Sequence, residues 1–429
     1  MTTKANTQAP IAAGEKLDMA PRELSGMCLF QAVGGGLEVE LLEVETYQRS
    51  VVYLRDGSEL VLFVPKGCYG IWLRQLHPQG RATLRIVQMS VLKRLVFFTR
   101  KLLSLLRRGP VQAVTSIAGF WRRKGRLTAA SFDIAPSGAD LPVEHREFLP
   151  PMALTEKPSV SIIIPTKVHA ELLESCVNSL GAMEDAQTEL IIVDNGAVAP
   201  DMLRVLDDLR GRENTQVLRL DIPFNFSRLC NAGARLARHE CLLFLNDDIE
   251  AMDADWLNGM LGYATRPDVG VVGARLLYPS GLLQHAGIAA NLVPGPGHPF
   301  RLAPRDVWSR NPLMAVAGEV DAVTGACLMI RASLFEALGG FNEDDFAISL
   351  NDVDLCLRVR EQGLKVIYAP QATLIHKESQ SRRDDDHPAE RARRQTELKA
   401  FYRRHGAAAR HSCFYPEGLR RDTDRAIKI

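Results

Sequence analysis

At 429 residues the chain is too long for one ordinary domain and long enough for two, each with a core of its own. An apolar fraction of 46%, a charged fraction of 24% and a formal net charge of +1 describe a folded protein and give no global sign of a nucleic-acid partner. The 8 cysteines are scattered without a CxxC pair, several inside apolar runs, which reads as small hydrophobes in a reducing compartment.

Residues 1–25 are polar and read as a disordered N-terminus that lacks the apolar stretch of a secretory signal. No uninterrupted apolar segment approaches the ~20 residues that span a bilayer as a helix. The expectation is a cytoplasmic protein whose only membrane association is peripheral, on the inner face of the plasma membrane.

Residues 26–90 show short alternating runs (LEVELLEVETY, SVVYLRD, ELVLFVP, ATLRIVQM) separated by turn residues, the pattern of a small all-β domain. No Asp or Glu occurs between Glu59 and Asp133, so a basic patch sits inside a neutral protein. In residues 91–126 basic pairs recur seven residues apart at Lys93/Arg94, Arg100/Lys101 and Arg107/Arg108. Leu and Phe fill the rest of the turn, which predicts a basic amphipathic helical segment. Two readings stay open. The helix either lies in an anionic membrane surface or packs its apolar face on neighbouring domains with the basic pairs solvated. Arg122, Arg123, Lys124 and Arg126 beside Phe120 and Trp121 lean toward the membrane.

Residues 127–157 are proline-bearing and polar and read as a linker. From 158 to 385 the character changes. VSIII (160–164), LIIV (190–193), VLRL (217–220) and CLLFL (241–245) are apolar runs of the kind buried in a parallel sheet, and helical segments alternate with them. This is the pattern of a doubly wound α/β domain that binds ligands at the carboxyl ends of its strands. Residues 386–429 read as a charged C-terminal helix and tail.

Polar groups follow the strands: Pro165-Thr166-Lys167, Asp194-Asn195-Gly196 and Asn246-Asp247-Asp248. No GxGxxG follows the first strand and there is no P-loop, which disfavours a dinucleotide oxidoreductase. An acidic pair at a strand end suits Mg²⁺ or Mn²⁺, which take hard oxygen ligands and leave positions for diphosphate oxygens. The competing reading of such a pair is a turn or a helix cap.

Over residues 159–382 the chain resembles glycosyltransferase family 2. The landmarks are SIIIPTK, IIVDNGA, PFNFSRLCNAGARLA, CLLFLNDDIE, AVTGACLMIRASLFEALGGFNED, NDVDLCLRVREQGLKVIYAP and IHKESQSR, in that order. Within the family, the QHAG, GHPFR and HKESQSR segments are similar to the branch that assembles O-antigen and rhamnan-type polysaccharides. The resemblance implies a GT-A type doubly wound mixed sheet, a Rossmann-like transferase of nucleotide-diphospho-sugars. It implies an inverting enzyme that takes a dTDP-, UDP- or GDP-sugar as donor and a glycan or lipid-linked glycan as acceptor.

The same resemblance implies roles for individual residues. Thr166 and Asp194 fall to the nucleotide base, Asp247 to the ribose, and Pro165, Asn195 and Asn231 to the surrounding nucleotide-sugar site. Gln284, His285, Thr324 and Gly325 fall to the sugar pocket, and Asp248 and His376 to the metal. Asn246 stands where relatives carry an acidic residue, leaving Asp248 as the main carboxylate on the cation. Asp352 is the implied general base, at the start of a helix in NDVDLCLR, where relatives carry Glu-Asp and this chain Asn-Asp. Asp354 is expected to serve as a dipole or salt-bridge partner for Arg358, four residues on. Phe224, Phe226 and Trp256 read as core aromatics, and residues 291–306 as an acceptor loop or a plain connection.

Two other functions remain at this level. One is a degenerate transferase domain acting as a glycan-binding or scaffold protein, which Asn246 and Asn351 keep open. The other, a nucleotidyltransferase, would need a glycine-rich basic loop after the first strand, and PTKVHAEL does not supply one. The membrane reading of residues 91–126 makes its own prediction. Replacing Lys93, Arg94, Arg100 and Lys101 together by Glu should abolish co-sedimentation with anionic liposomes, and unchanged sedimentation removes that reading.

Overall fold

The computed structural model describes residues 7–11, 17–33, 37–43, 49–54, 59–75, 82–88, 149–154, 156–181, 187–377, 388–415, 419 and 421–422. The expected basic helix of residues 91–126 lies outside them. The chain forms two compact units, residues 1–136 with residue 429, and residues 137–428.

The first unit contains β1 (Thr7–Ile11), β2 (Leu17–Val33), β3 (Leu37–Glu43), β4 (Arg49–Leu54), β5 (Glu59–Gln75) and β6 (Ala82–Gln88). They form one sheet in the order β1-β6-β2-β5-β3-β4, every pair antiparallel. β1 and the start of β2 fall within the segment expected to be disordered, so pairing begins earlier than the polar composition indicates. Phe30, Ala32, Leu37, Val39, Leu41, Val52 and Leu54 are buried. Glu40 is buried with them, and Arg49 on the neighbouring strand answers its charge, Nε donating to Oε1 at 2.7 Å.

The second unit runs β7 (Val160–Thr166), α1 (Ala170–Ser179), β8 (Thr188–Asp194), α2 (Pro200–Arg210), β9 (Thr215–Arg219), α3 (Phe226–Ala234), β10 (Cys241–Leu245), β11 (Ile249–Ala251) and α4 (Trp256–Ala264). It continues with β12 (Val269–Leu277), β13 (Leu283–His285), α5 (Arg305–Trp308), α6 (Pro312–Ala315), β14 (Gly318–Glu319), β15 (Cys327–Arg331), α7 (Ala332–Ala337), α8 (Asn351–Glu361), β16 (Lys365–His376) and α9 (Pro388–His405). The strands form a sheet in the order β11-β16-β12-β15-β10-β7-β8-β9, with β13 on β12 and β14 on β16. β7 is parallel to both β8 and β10, and β8 to β9, whereas β15 runs antiparallel to β10 and β12. The sheet is therefore mixed, as the resemblance implied.

The apolar runs are continuous because the strands are covered on both faces. Ile162, Ile164, Leu190 and Ile192 share one core with Leu173 and Cys176 of α1 and with Met202 and Leu206 of α2. Side chains one residue out of step point to the other face. There α3 approaches so closely that a Cβ on Gly233 would lie 2.5 Å from Ile163 Cγ2 and 3.0 Å from Val193 Cγ2. Hydrogen for side chain is what this helix–sheet contact requires.

Two boundaries differ from the sequence expectation. Residues 149–154, expected as linker, dock on this unit: Met152 N donates to Gly262 O at 2.7 Å and Arg266 Nη1 to Pro150 O at 3.1 Å. The segment expected as a charged helix and tail is part of the core, with Phe401, Phe414 and Tyr415 buried. Its charge misled the reading because much of that charge is paired inward. His405 Nε2 lies 2.8 Å from Asp354 Oδ1, Arg358 Nε donates to Asp354 Oδ2 at 2.8 Å, and Arg393 Nη1 donates to Glu397 Oε2 at 2.6 Å. Asp354 is thus the partner of Arg358, as its spacing predicted, and also of the last helix. Among the described residues no helix is long and apolar enough to cross a membrane.

Burial by itself would raise the pKa of Asp354, but the His405 hydrogen bond and the Arg358 guanidinium outweigh it and hold the carboxyl below the usual range. A carboxyl lowered by folding stabilises the protein fully above its unfolded pKa of about 3.9, and loses that contribution as pH falls through the folded value. Asp354→Asn should therefore cost about 3–5 kcal/mol at pH 7, since it strips one partner from a buried charge cluster. Urea unfolding of both forms should show that gap closing below about pH 4.

Candidate active site

Four strand ends and one helix start meet around a cavity of 580 Å³. β7 ends in Pro165-Thr166, β10 runs into Asn246-Asp247-Asp248, β13 carries Gln284, and β16 ends at His376. Thr324-Gly325 precede β15, and Asn351-Asp352 open α8. Pro165, Thr166, Asp247, Asp248, Gln284, Thr324, Gly325, Asp352 and His376 all line this space.

Asp248 and His376 are brought together because β11, which follows the acidic turn, pairs with the last residues of β16, Ile249 opposite His376. Lys377 N donates to Asp248 O at 3.0 Å and fixes the register. The side chains face one another, His376 Nε2 3.0 Å from Asp248 Oδ1. His376 Nδ1 lies 2.7 Å from Gln284 Oε1, an oxygen that can only accept, so the proton sits on Nδ1 and Nε2 presents a lone pair when the ring is neutral. A lone pair and a carboxylate oxygen at 3.0 Å need a positive centre between or beside them, either a proton or a cation. A backing acceptor on the far ring nitrogen is also what metal-ligating imidazoles use. The pair fits two corners of a divalent site. Among the described residues no third His, Cys, Asp or Glu joins them. Asn246, whose Nδ2 is 3.3 Å from His376 Nε2, occupies the flank.

Asp247 accepts from Thr166 Oγ1 at 2.7 Å. Burial, reinforced by the Asp248 charge, pushes its carboxyl up to about 6, and the Thr166 bond and nearby His376 only partly oppose this. Asp352 is held by two backbone donors, Gly325 N to Oδ2 at 2.9 Å and Val353 N to Oδ1 at 2.8 Å. The turn delivering it is strained, for Leu350 adopts φ 64°, unusual for a branched side chain. Glu397 on α9 holds that turn by accepting from Ile348 N at 3.0 Å and Ser349 N at 3.2 Å.

Four expected site residues lie elsewhere. Asp194 is buried, accepting from Ala197 N at 2.7 Å and Arg219 Nη1 at 3.0 Å, so it closes the turn after β8. Asn195 donates to Leu220 O and Ile222 O and pins the chain after β9 to the same turn. Asn231 clamps Phe341, donating to its carbonyl and accepting from its N–H, both at 2.9 Å. His285 sits behind the cavity wall, 2.9 Å from His298 through their Nδ1 atoms. Of the expected core aromatics, Trp256 is buried, but Phe226 lines the cavity and Phe224 lines it while 51% exposed.

Lys167, His169, His298 and Arg301 also line the cavity, and sequence reasoning gave none of them an individual role. His298 and Arg301 lie in the Pro/Gly-rich stretch singled out as an acceptor loop, and that composition was the available signal. Sequence reasoning also missed Glu397, which acts from the segment read as a charged C-terminal helix.

Open α/β sheets bind ligands outside the carboxyl ends of their strands, which is where these carboxylates and this imidazole gather. Residues 161–339 match the model described as Glycosyl transferase family 2, and residues 301–406 match Glycosyl transferase family group 2. Residues 161–339 of this unit are thus a glycosyltransferase family 2 domain. It is 40% identical over 266 residues to "Uncharacterized protein y4gI" of Sinorhizobium fredii, 62% of this chain and 29% of that protein. It is 38% identical over 257 residues to the O-antigen biosynthesis protein RfbC of Myxococcus xanthus, 58% of this chain and 19% of that protein. The chain thus spans 29% and 19% of the lengths of these relatives. The mannosyltransferase PcManGT from Pyrobaculum calidifontis, solved with GDP-Man and Mn²⁺, aligns over 66% of this chain and 70% of that one, with TM-score 0.43 and 18% identity.

Proposed function

We propose that the second unit transfers a sugar, with inversion, from a nucleoside diphosphate to a hydroxyl of a glycan or lipid-linked glycan during assembly of a bacterial surface polysaccharide. The observation that carries this reading is the placement of Asp248, His376 and Asp352 around one cavity, since leaving group and attacking hydroxyl must be served from a common space. The donor is a dTDP-, UDP- or GDP-sugar. Asp248 and His376 would hold a Mg²⁺ or Mn²⁺ ion, whose charge would stabilise the departing diphosphate. The first unit and the basic segment after it are assigned to acceptor or anionic-membrane contact on the cytoplasmic side.

In this scheme the acceptor oxygen attacks the anomeric carbon as its bond to the diphosphate breaks, with the electron pair leaving on the diphosphate. Asp352 takes the hydroxyl proton. Two backbone N–H groups fix its carboxylate in one orientation. Thr166 and Asp247 lie on the nucleotide side, Thr324 and Gly325 beside the sugar. Asp194, Asn195 and Asn231 support the walls.

A thermal-shift screen of UDP, GDP and dTDP with and without Mn²⁺ should give one nucleotide a metal-dependent rise in melting temperature. Asp248→Asn should lose that rise. Asp352→Asn should keep it, while turnover of the matching nucleotide sugar falls by about 10²–10⁴-fold. Nucleotide binding without any metal-dependent turnover would instead favour a degenerate, scaffold-type domain.

The raised Asp247 carboxyl adds a pH dependence. Below about pH 6 it is protonated and offers one charge fewer to the cation and nucleotide site. Metal-dependent nucleotide affinity should rise with pH through that value, and Asp247→Asn should flatten the profile when binding is followed by calorimetry.

A further inference from the structure

β13 ends in two adjacent residues whose side chains serve different partners. Gln284 backs His376, as described above. His285 reaches His298, with Nδ1 to Nδ1 2.9 Å, ring centroids 4.9 Å apart and ring planes 72° to one another. His285 is 1% exposed, whereas His298 lines the cavity. Among the described residues Nε2 of His285 has no hydrogen-bond partner.

Two imidazole nitrogens at hydrogen-bond distance share one proton, and its location follows from the buried end of the pair. If His298 donated, the neutral His285 ring would carry its own proton on Nε2, a buried N–H with nothing to accept it. Among buried backbone groups orphaned donors are rarer than under-satisfied acceptors, and the same preference is applied here to the ring. The favoured arrangement has His285 donating from Nδ1 and leaves its Nε2 as a bare lone pair. Charging His285 is opposed by its burial and by the neighbouring rings of His298 and His376. His298 Nδ1 is therefore an acceptor, and the neutral ring carries its proton on Nε2. A protonated His298 would need a proton on Nδ1 as well, and would force His285 into the disfavoured form. The buried ring thus keeps its cavity-lining partner neutral, with Nε2 as a fixed donor.

We propose that His298, oriented by His285, donates a hydrogen bond from Nε2 to a hydroxyl oxygen of the sugar on the nucleotide donor and so contributes to donor-sugar selection. This rests on reading the cavity as a nucleotide-sugar site. The donor sugar is favoured over the acceptor because His298 lines the same cavity as His376 and Asp248, where the diphosphate would be held. The sugar is the first group beyond a diphosphate held at His376 and Asp248. The carboxylates around the cavity can only accept when ionised, so a neutral donor supplies what they cannot. His298 is then a substrate-contacting residue and His285 a positioning residue.

The tautomers are read directly by long-range ¹H–¹⁵N correlation on the full-length protein labelled with [¹⁵N]histidine. His298 is expected as the Nε2–H form and His285 as Nδ1–H at neutral pH, and a charged or Nδ1–H His298 overturns the proposal. The second arm is calorimetry with Mn²⁺, comparing UDP, GDP and dTDP with UDP-glucose, GDP-mannose and dTDP-rhamnose. His298→Leu should weaken the nucleotide sugar about ten-fold, the scale of one hydrogen bond, and leave the diphosphate unchanged. His298→Gln, which retains a donor near Nε2, should recover most of the loss. His285→Phe should behave like His298→Leu, and His285→Asn should recover binding. An unchanged sugar increment in His298→Leu, or equal loss of nucleotide and nucleotide sugar, overturns the assignment. Wild-type protein that binds none of the diphosphates overturns the reading of the cavity, while the tautomers still report on the pair.

Discussion

A carboxylate with 0% side-chain exposure must be answered by positive or hydrogen-bonding groups, and at Asp354 that requirement organises the second unit. Arg358 answers from the same helix one turn on, and in doing so donates to Leu338 O and Gly340 O, tying α8 to the loop after α7. His405 answers from the end of α9. The last helix is thereby locked against α8, and from that position Glu397 reaches the Ile348–Ser349 backbone beside the strained Leu350. Asp352 projects from the next turn. A charge that never faces the cavity fixes the carboxylate that does.

The other side of the cavity depends on strand register. β11 is three residues long, yet its pairing with β16 sets Asp248 against His376 across a sequence separation that no local pattern could bridge. A one-residue slip would turn His376 to the opposite face of the sheet. Leu374, buried among the core residues two positions earlier on the same strand, opposes that slip. Packing of the core therefore specifies the position of the imidazole.

Much of this was legible in the sequence because it depends on local pattern. VSIII, LIIV and CLLFL became β7, β8 and β10, and the polar residues after the first and third reached the cavity. Asp194 and Asn195, after the second, did not: Asp194 accepts from Arg219, and Asn195 donates to the Leu220 and Ile222 carbonyls. Strand-end position identifies an edge, whereas tertiary contact decides which groups on that edge are drawn into the fold. The C-terminal segment was misread for the converse reason: composition counts its charges, and only the fold reveals that several are neutralised internally. The acidic residues of β3 were likewise unreadable, because Glu40 is buried through a partner on another strand.

Asn246 and Asn351, the two departures from the family pattern, then acquire a physical setting. Asn351 is buried and its Oδ1 accepts from Asp352 N at 2.7 Å, so the amide supports the helix start where a second carboxylate would crowd Asp352 with like charge. Asn246 offers Nδ2 to the His376 ring. An aspartate there would add a third negative charge to a turn in which Asp247 is already raised to about 6 by burial and by Asp248. Both amides lower the charge density of a site with few cationic groups of its own beside the acidic turn. Under the proposed function, the cation's remaining ligands would then come from water and the diphosphate, so the metal should be held weakly by the protein alone and firmly only together with the donor.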